Sequence, residues 1–287
     1  MTLRAATTDL AVLLVPRAGA QRAFGLRELT PVVLSPWLVG ATALALIGAT
    51  LFAQAQAGAA RPGVIELMIK WAPLVFSGFL FNLLVGVLSM VLGTAAGMML
   101  GLAQISLRLS VRRAAWAITQ FFRNAPWLVL LFYAMFLLPF EIAVGSWQLS
   151  IPAWTKAVIG LALPVMANVS EIVRGGVQSI PLAQWESGES LAFSRRQILW
   201  RIILPQAVKR MIPPWMNLYA ILTMATTLIS VVGIQDAMTM TRGALVAEAR
   251  TELFLPMYLL LLLMFFAYCY PIARWTAALE RRFNIKG

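Results

Sequence analysis

The residues with the greatest capacity for chemistry lie in one polar segment, residues 171–214, within an otherwise apolar sequence. Pro181 and Pro205 divide this segment, and Ser194 and Gln197 have the spacing of a helix capping box. These features predict ordered short helices rather than a slack linker. The basic residues of the segment are Arg174, Arg195, Arg196, Arg201, Lys209 and Arg210. Such a charge excess is typical of a cytoplasmic loop between membrane spans, and an ordered loop predicts a surface on which a partner docks.

The residue types that are absent exclude several classes of chemistry. The chain contains no histidine, which excludes serine–histidine hydrolysis, histidine-ligated zinc and a haem with an axial histidine. The single Cys269 lies in an apolar run, so packing is its expected role. No GxxxxGKS or GxxxxGKT phosphate loop occurs, so the energy for any activity comes from a gradient or from another polypeptide.

The overall composition is that of an integral membrane protein, with 61% hydrophobic residues, 12% charged residues and a mean hydropathy of +0.82. Its apolar runs predict six membrane spans. They lie at residues 37–53, 72–103, 127–140, 153–170, 215–234 and 253–272. A cleaved signal peptide is the alternative for the first run, because Ala53-Gln54-Ala55 has the form of a cleavage site.

The positive charges are distributed unevenly between the two sides of this layout. The net charge is +12, and most basic residues fall in the N-terminal arm, the turn after the second span, the polar segment and the C-terminus. This asymmetry predicts that both termini and the polar segment face the cytoplasm. It also explains the basic composition better than a nucleic-acid partner does, because the charges lie between apolar spans.

Smaller patterns predict how the spans pack and connect. A stripe of small residues at every fourth position lets a second helix approach closely, and it consists of Ser89, Gly93, Gly97 and Gly101. Residues 114–122 are predicted to form a short helix that ends at the interruption at residues 123–126, which contains a proline. Residues 141–152 and 235–252 are predicted to be loops.

The polar segment resembles the cytoplasmic signature, called the EAA loop, of permease subunits of ATP-binding-cassette (ABC) importers. Glu186-Ser187-Gly188 stands at the position of Glu-Ala-Ala, and Ile202-Ile203-Leu204-Pro205 matches the Ile-x-Leu-Pro end of that signature. Ala192 stands at the position where the family has a glycine. A glycine there would allow a left-handed turn without steric cost.

Further motifs are similar to those of the polar amino-acid branch of these importers, which includes histidine, glutamine, glutamate and opine permeases. The resemblance covers residues 74–276 and is carried by Phe122-Arg123-Asn124-Ala125-Pro126, Glu171, Arg174-Gly175-Gly176, Ser179-Ile180-Pro181, Gln184 with Glu186, and Leu204-Pro205-Gln206-Ala207. In the fifth span, Met224-Ala225-Thr226-Thr227-Leu228 departs from the Lys-Asp-Thr-Ser-Leu of the branch by losing both charges. This departure bears on the class of solute, because an intramembrane ion pair affects what a path can hold.

The resemblance implies an all-α polytopic membrane protein with a five-helix permease core over residues 72–276 and a cytoplasmic coupling loop at 171–214. An N-terminal arm (1–35), one accessory transmembrane helix (36–57) and a cytoplasmic tail (277–287) are expected outside this core. The implied function is that of the permease subunit of an importer in the bacterial inner membrane, which passes a polar amino acid or a related small solute. No cofactor is expected on this chain, because separate ATPase subunits would use ATP and Mg²⁺. The other implied partners are a second permease subunit (the same or a sister chain), an extracytoplasmic solute-binding protein and membrane lipid.

By the same resemblance, residues 181–194 form a short coupling helix that docks on the ATPase subunit. The candidate coupling residues are Glu186, Ser187, Gly188, Glu189, Ala192 and Phe193. Glu186 is expected to make the main polar contact and Phe193 the apolar one. Polar residues within the spans can line a translocation path, but they also bridge helices or bond their own backbone. The candidates for that path are Asn82, Asn168, Asn217, Thr226 and Thr227.

Two other classes of function remain open from the residues alone. An ion-coupled secondary transporter needs ionisable side chains at mid-membrane, and the apolar spans supply almost none. A membrane scaffold protein without transport activity has a similar composition. Co-purification with a nucleotide-binding subunit distinguishes these classes from the importer.

Overall fold

The computed structural model describes residues 62–144 and 147–283, together with five helical positions between residues 40 and 48. The chain divides into two units, Met1–Ala49 and Thr50–Gly287, and nearly all of the described residues belong to the second. The predicted arm (1–35), the rest of the accessory helix (36–57) and residues 284–287 of the tail lie outside the described residues.

The first long helix, α1 (Val64–Gln104, 41 residues), begins earlier than the apolar run alone predicts. Glu66 in its first turn interacts favourably with the positive N-terminal end of the helix dipole. Val64 and Leu67 are buried in a cluster with Leu245 and Leu253 from the C-terminal part of the chain. Hydropathy does not detect this packing, which extends the helix by about two turns before residue 72.

Two shorter helices follow, α2 (Leu109–Asn124) and α3 (Trp127–Leu137). Pro126 separates them, because a proline lacks the backbone N–H and its ring disfavours a helical conformation at Ala125. The predicted short helix at 114–122 is confirmed and is longer than expected. The predicted span at 127–140 is wrong in length: α3 has 11 residues, about 16 Å, against a hydrocarbon core of about 30 Å.

A β-hairpin occupies the segment that was predicted to be a loop after the third span, in a described chain that is otherwise nearly all helical, as expected. Its strands are β1 (Glu141–Val144) and β2 (Trp147–Ser150), which pair antiparallel. The register places Glu141 opposite Ser150, and Ile151 N–H donates to the carbonyl of Phe140 at 2.7 Å. Isoleucine, valine and tryptophan in this segment favour extended backbone, and hydropathy alone does not distinguish a hairpin from a loop.

The small-residue stripe of α1 packs against α4 (Ala153–Gln178), as the sequence predicts. A Cβ on Gly93 would lie 2.5 Å from Val165 Cγ1, and a Cβ on Gly97 would lie 2.6 Å from the carbonyl oxygen of Met166. Only glycine allows the two backbones to approach this closely. The same helix α4 continues beyond residue 170, so Glu171 and its neighbours are helical and do not begin the loop.

The polar segment consists of the end of α4, one short helix and the beginning of a long helical stretch. The short helix is α5 (Leu182–Ser190). The long helical stretch runs from Arg195 to Val232. Its parts are α6 (Arg195–Ile198), a π-turn (Leu199–Ile203), α7 (Leu204–Ala225) and a 3₁₀ segment (Thr226–Val232). The prediction of ordered short helices is confirmed, but the fifth span begins well before residue 215.

The C-terminal part contains α8 (Ala237–Glu248), a 3₁₀ turn (Thr251–Leu253) and α9 (Phe254–Phe283). The predicted loop at 235–252 is therefore wrong, since Asp236 caps the N-terminus of α8 by accepting a hydrogen bond from Thr239 N–H at 2.9 Å.

Among the described residues, four helical stretches are long and apolar enough to cross a membrane. They are Val64–Gln104, Ala153–Gln178, Arg195–Val232 and Thr251–Arg282. Each corresponds to one of the six predicted spans. The first predicted span lies almost wholly outside the described residues, and the third is the short helix α3.

Candidate functional site

The helix α5 is held against the following helix by an unusually close contact. Its one buried residue is Gly188, where an added Cβ would lie 2.8 Å from Ile198 Cγ1. Ile198 is fully buried in a small core with Ile180 and Ile203 at the ends of the membrane helices. Glycine at position 188 therefore allows α5 to lie directly on the beginning of the long helix.

A tight turn ends α5 and reverses the chain. Ala192 has a left-handed conformation (φ 56°). Its N–H donates to Glu189 O at 2.9 Å, and Phe193 N–H donates to Gly188 O at 3.1 Å. This pair of hydrogen bonds is the Schellman motif, in which glycine is the usual residue at the left-handed position. Replacing the glycine of the family by Ala192 thus keeps the turn, at a steric cost of about 1 kcal/mol.

A capping box then begins the next helix, as the sequence predicts. Ser194 Oγ accepts a hydrogen bond from Gln197 N–H at 3.4 Å, and Ser194 N–H donates to Gln197 Oε1 at 2.8 Å. The reciprocal pair satisfies two N–H groups that would otherwise lack partners at the helix end. Together with the Schellman turn, it fixes the angle between α5 and the long helix.

The helix α5 and the turn after it carry exposed polar and apolar groups, and Glu186 and Glu189 lie on the wall of a cavity that Arg112 and Arg195 also line. Glu186 is exposed, and its carboxylate has no hydrogen bond or ion pair with residues 62–144 or 147–283. Glu189 is also exposed, whereas Ser187 Oγ donates to Ala183 O at 2.7 Å within the helix. Phe193 is 36% exposed and lies one turn beyond. These exposed groups are available to a partner, as the coupling role expected from the sequence requires.

The candidates for the translocation path divide into two groups. Asn82 and Thr226 are both fully buried, and Asn82 Nδ2 donates to Thr226 Oγ1 and to Asp236 Oδ2, each at 3.2 Å. Asn82 Oδ1 accepts from Ala237 N–H at 3.0 Å. This network joins α1, the 3₁₀ segment and the start of α8, so these side chains bridge helices.

Asn168 and Asn217 instead lie on the wall of a cavity of about 670 Å³ between α4 and α7. Thr227 is half-buried outside that wall, and its hydroxyl donates to Met224 O at 2.9 Å. The structure therefore brings Asn168 and Asn217 together and separates them from Asn82, Thr226 and Thr227.

Charged residues in the same cavity were not predicted as part of a path. Arg123 Nη1 lies 3.6 Å from Glu171 Oε2 on the cavity wall, and Arg174, which does not line the cavity, places Nη2 2.7 Å from the same oxygen. In the sequence, these residues were recognised only as parts of the motifs shared with the family. The signal that could have found them is an ionisable side chain, Glu171, well inside an apolar helix.

Comparisons with known proteins identify the family to which this chain belongs. The profile of the family described as "Binding-protein-dependent transport system inner membrane component" matches residues 93–285. The chain belongs to this family. It is a multi-pass membrane protein, and the resemblance first indicated by the EAA-type loop is confirmed.

Two relatives show the extent of the similarity within this family. The inner membrane amino-acid ABC transporter permease protein YhdY of Escherichia coli is 32% identical over 66% of this chain. The probable amino-acid ABC transporter permease protein YckA of Bacillus subtilis is 31% identical over 76% of it. The chain spans 50% of YhdY and 92% of YckA.

A solved structure agrees with the family assignment. The crystal structure of an amino acid ABC transporter with histidines superposes with a TM-score of 0.64 and 25% sequence identity. The match covers 75% of this chain and 96% of the other. The described helices of this chain thus have the arrangement of an ABC importer permease.

Proposed function

We propose that this chain is the permease subunit of an ABC importer for a polar amino acid or a related small solute. A second permease subunit, the same or a sister chain, completes the path, and separate subunits hydrolyse ATP. An extracytoplasmic binding protein delivers the solute. The observation that carries this proposal is α5, a short helix packed closely on a membrane-spanning helix, with the exposed carboxylate of Glu186 making no hydrogen bond or ion pair with residues 62–144 or 147–283.

The connection between α5 and the membrane supplies a physical mechanism for coupling. A force on α5 passes through the Gly188–Ile198 contact to a helical stretch that runs from Arg195 to Val232. The far end of this stretch is the segment Thr226–Val232, whose first residue is bonded to Asn82. Closure of the ATPase subunits thereby moves the helices of the path, because densely packed helices transmit displacement.

The solute class follows from relatives and from the path. YhdY and YckA are both named as amino-acid permeases. The cavity that contains Asn168 and Asn217 offers hydrogen-bonding groups suited to a polar solute. Met224 and Ala225 supply no charge where the amino-acid branch has a Lys-Asp pair, so solute recognition in this chain uses other residues.

The orientation in the membrane belongs to the same proposal. The basic residues from α6 to α7 and at the C-terminal end of α9 lie on the side that the charge asymmetry assigns to the cytoplasm. Both termini then face the cytoplasm of the bacterium, and ATP with Mg²⁺ binds on the partner ATPase at that side.

Co-purification tests the assignment. The tagged chain, co-expressed with the ATPase subunit, is expected to retain that subunit, and a variant with residues 182–190 replaced by a Gly-Ser linker is expected to lose it. The chain alone is expected to show no ATP turnover. Hydrolysis that persists after rigorous removal of other subunits, or retention by the linker variant, would contradict the proposal.

A further inference from the structure

A second cavity lies at the ends of two membrane-spanning helices. Its volume is about 500 Å³, within the range of about 300–1,000 Å³ that is usual for ligand pockets. Gln104, the last residue of α1, and Gln178, the last residue of α4, lie on its wall, and residues of α2, α5 and α6 complete it. Because both spans end here, on the side that the charge asymmetry assigns to the cytoplasm, the cavity lies near the depth of the lipid headgroups.

One buried polar atom on this wall has no partner. Gln104 is 4% exposed, and its Nε2 donates to Ser170 Oγ at 2.6 Å and to Thr119 Oγ1 at 3.0 Å. Its Oε1 is buried without a hydrogen-bond partner among residues 62–144 and 147–283. A buried carbonyl oxygen is costly to leave unpaired, so this atom points to a donor that comes from outside the chain.

Charged side chains of both signs surround the rest of the cavity. Arg112 and Arg195 supply positive charges, and Glu186 and Glu189 supply negative ones. None of the four forms an ion pair with another residue in the described part of the chain. The cavity therefore offers free groups of both signs to a ligand that itself carries both.

A further arginine touches the wall without adding a free charge. Arg174 Nη1 donates to Gln178 Oε1 at 2.9 Å, but the charge of Arg174 is already paired with Glu171 at 2.7 Å. Arg195 is held in place by an aromatic ring, since its Cζ lies 5.3 Å from the ring centre of Trp185. This contact leaves the N–H groups at the edge of the guanidinium available to an anion.

Apolar side chains form another part of the same wall. They are contributed by Ile105, Leu182 and Leu199, and Leu182 is 70% exposed. An exposed leucine beside charged groups, at the end of a membrane-spanning bundle, suits a ligand that is polar at one end and apolar at the other. A phospholipid has this construction.

We infer that the cavity binds a phospholipid whose headgroup carries a phosphate and a primary ammonium, as phosphatidylethanolamine does. The phosphate lies between Arg112 and Arg195, because the guanidinium fork pairs with phosphate oxygens. The ammonium donates to Gln104 Oε1 and pairs with Glu189. The inference rests on the orientation given under the proposed function, and it adds a lipid that ties α5 to α2.

The test is the thermal unfolding of the purified transporter complex, delipidated in detergent and then supplied with phosphatidylethanolamine or with phosphatidylcholine of the same acyl chains. A ligand that binds the folded state raises the unfolding temperature. Phosphatidylcholine carries the same phosphate, but its trimethylated nitrogen has no N–H, so Gln104 Oε1 stays unpaired. Phosphatidylethanolamine is expected to bind about tenfold more tightly.

Variants on and off the wall separate recognition from general damage. Gln104→Met removes the acceptor and is expected to bind the two lipids equally. Arg112→Gln is expected to weaken the binding of both by about tenfold, because the phosphate loses a charge-assisted pair. Arg113→Gln removes an exposed arginine from the same helix outside the cavity wall and is expected to bind as the unmodified complex does.

Several results would overturn the inference. They are equal stabilisation of the unmodified complex by the two lipids, no stabilisation by either, and the same weakening in Arg113→Gln as in Arg112→Gln. The last comparison holds even where Gln104→Met does not fold. Stabilisation by glycerophosphoethanolamine, which lacks acyl chains, as strong as that by the lipid would assign the site to a free solute and contradict a membrane ligand. None of these measurements involves transport, so a failure of ATP-driven uptake counts against the proposed function alone.

Discussion

In the proposed mechanism, coupling to a partner depends most directly on the carboxylate of Glu186. It is exposed on α5, and no described residue pairs with it. Glu186→Lys is expected to leave folding unchanged, since exposed substitutions cost little stability. ATP-driven transport is expected to fall by more than about tenfold, because a reversed charge in a docking groove costs several kcal/mol. The measurement is uptake together with co-purification of the ATPase subunit.

The matched control is Glu66→Lys, which reverses an exposed glutamate in the first turn of α1, far from α5 in the sequence. Its effect on transport is expected to be small. Normal transport by Glu186→Lys would show that Glu186 is only a solvated charge and that docking relies on Phe193 and the shape of the turn.

Ala192 gives a second prediction at the same scale. Because its φ of 56° is unfavourable for a residue with a Cβ, Ala192→Gly is expected to stabilise the turn by about 1 kcal/mol. Hydrogen exchange of the Ala192 and Phe193 amides should slow by about fivefold. Ala249→Gly, at the other left-handed alanine (φ 49°), should protect only its own helix end. Faster exchange in Ala192→Gly would mean that the added freedom of glycine outweighs the relief of strain.

Single residues also show what a sequence can and cannot specify. The candidate coupling residues lie in one continuous segment, so their motif and their capping pattern were readable directly. Asn82 and Asp236 are separated by 154 positions, and nothing local in either neighbourhood indicates that they meet. The buried network was therefore not predicted, although a bridge between helices was one of the two roles that the sequence left open for Asn82.

At the scale of elements, the packing of α1 on α4 depends on the absence of side chains along one stripe. Gly97→Leu would place a Cβ 2.6 Å from a backbone oxygen of α4, which cannot yield as a flexible side chain would. Overpacking of this kind is expected to lower stability by about 1–3 kcal/mol. The measurement is the thermal unfolding of the purified protein.

Gly243→Leu on α8 is the control for that substitution, since a Cβ there meets nothing within 4 Å. It removes the same glycine freedom and adds the same side chain. Equal unfolding temperatures for the two variants would contradict the close packing of the stripe.

Element types were predicted well where hydropathy decides them and poorly where packing does. The apolar runs located α1, α4, α7 and α9, but each helix extends into polar sequence that hydropathy assigns to loops. The amphipathic start of α1 and the helix α8 are stabilised by mutual burial, as the cluster of Val64, Leu67 and Leu245 shows. The β-hairpin at 141–150 was missed because pairing between two strands of four residues leaves little trace in hydropathy.

At the scale of the whole molecule, the helical stretch from Arg195 to Val232 connects the surface helix α5 to the buried network around Asn82. In the mechanism that we propose, this continuity converts a movement at α5 into a movement of the helices around Asn82. Composition and motifs predicted the membrane class and the family, because both depend on many residues at once. The contacts that carry the movement depend on three-dimensional approach and were visible only in the structure.

The most direct test of the central claim is uptake of radiolabelled amino acids into proteoliposomes that contain this chain, its ATPase subunit and any sister permease. ATP is enclosed inside, on the side of α5, and the binding protein is added outside. Accumulation is expected to require both ATP and the binding protein, and to be lost in Glu186→Lys. Accumulation driven by an ion gradient in the absence of ATP, or no accumulation of any amino acid by an assembled complex that hydrolyses ATP, would contradict the claim.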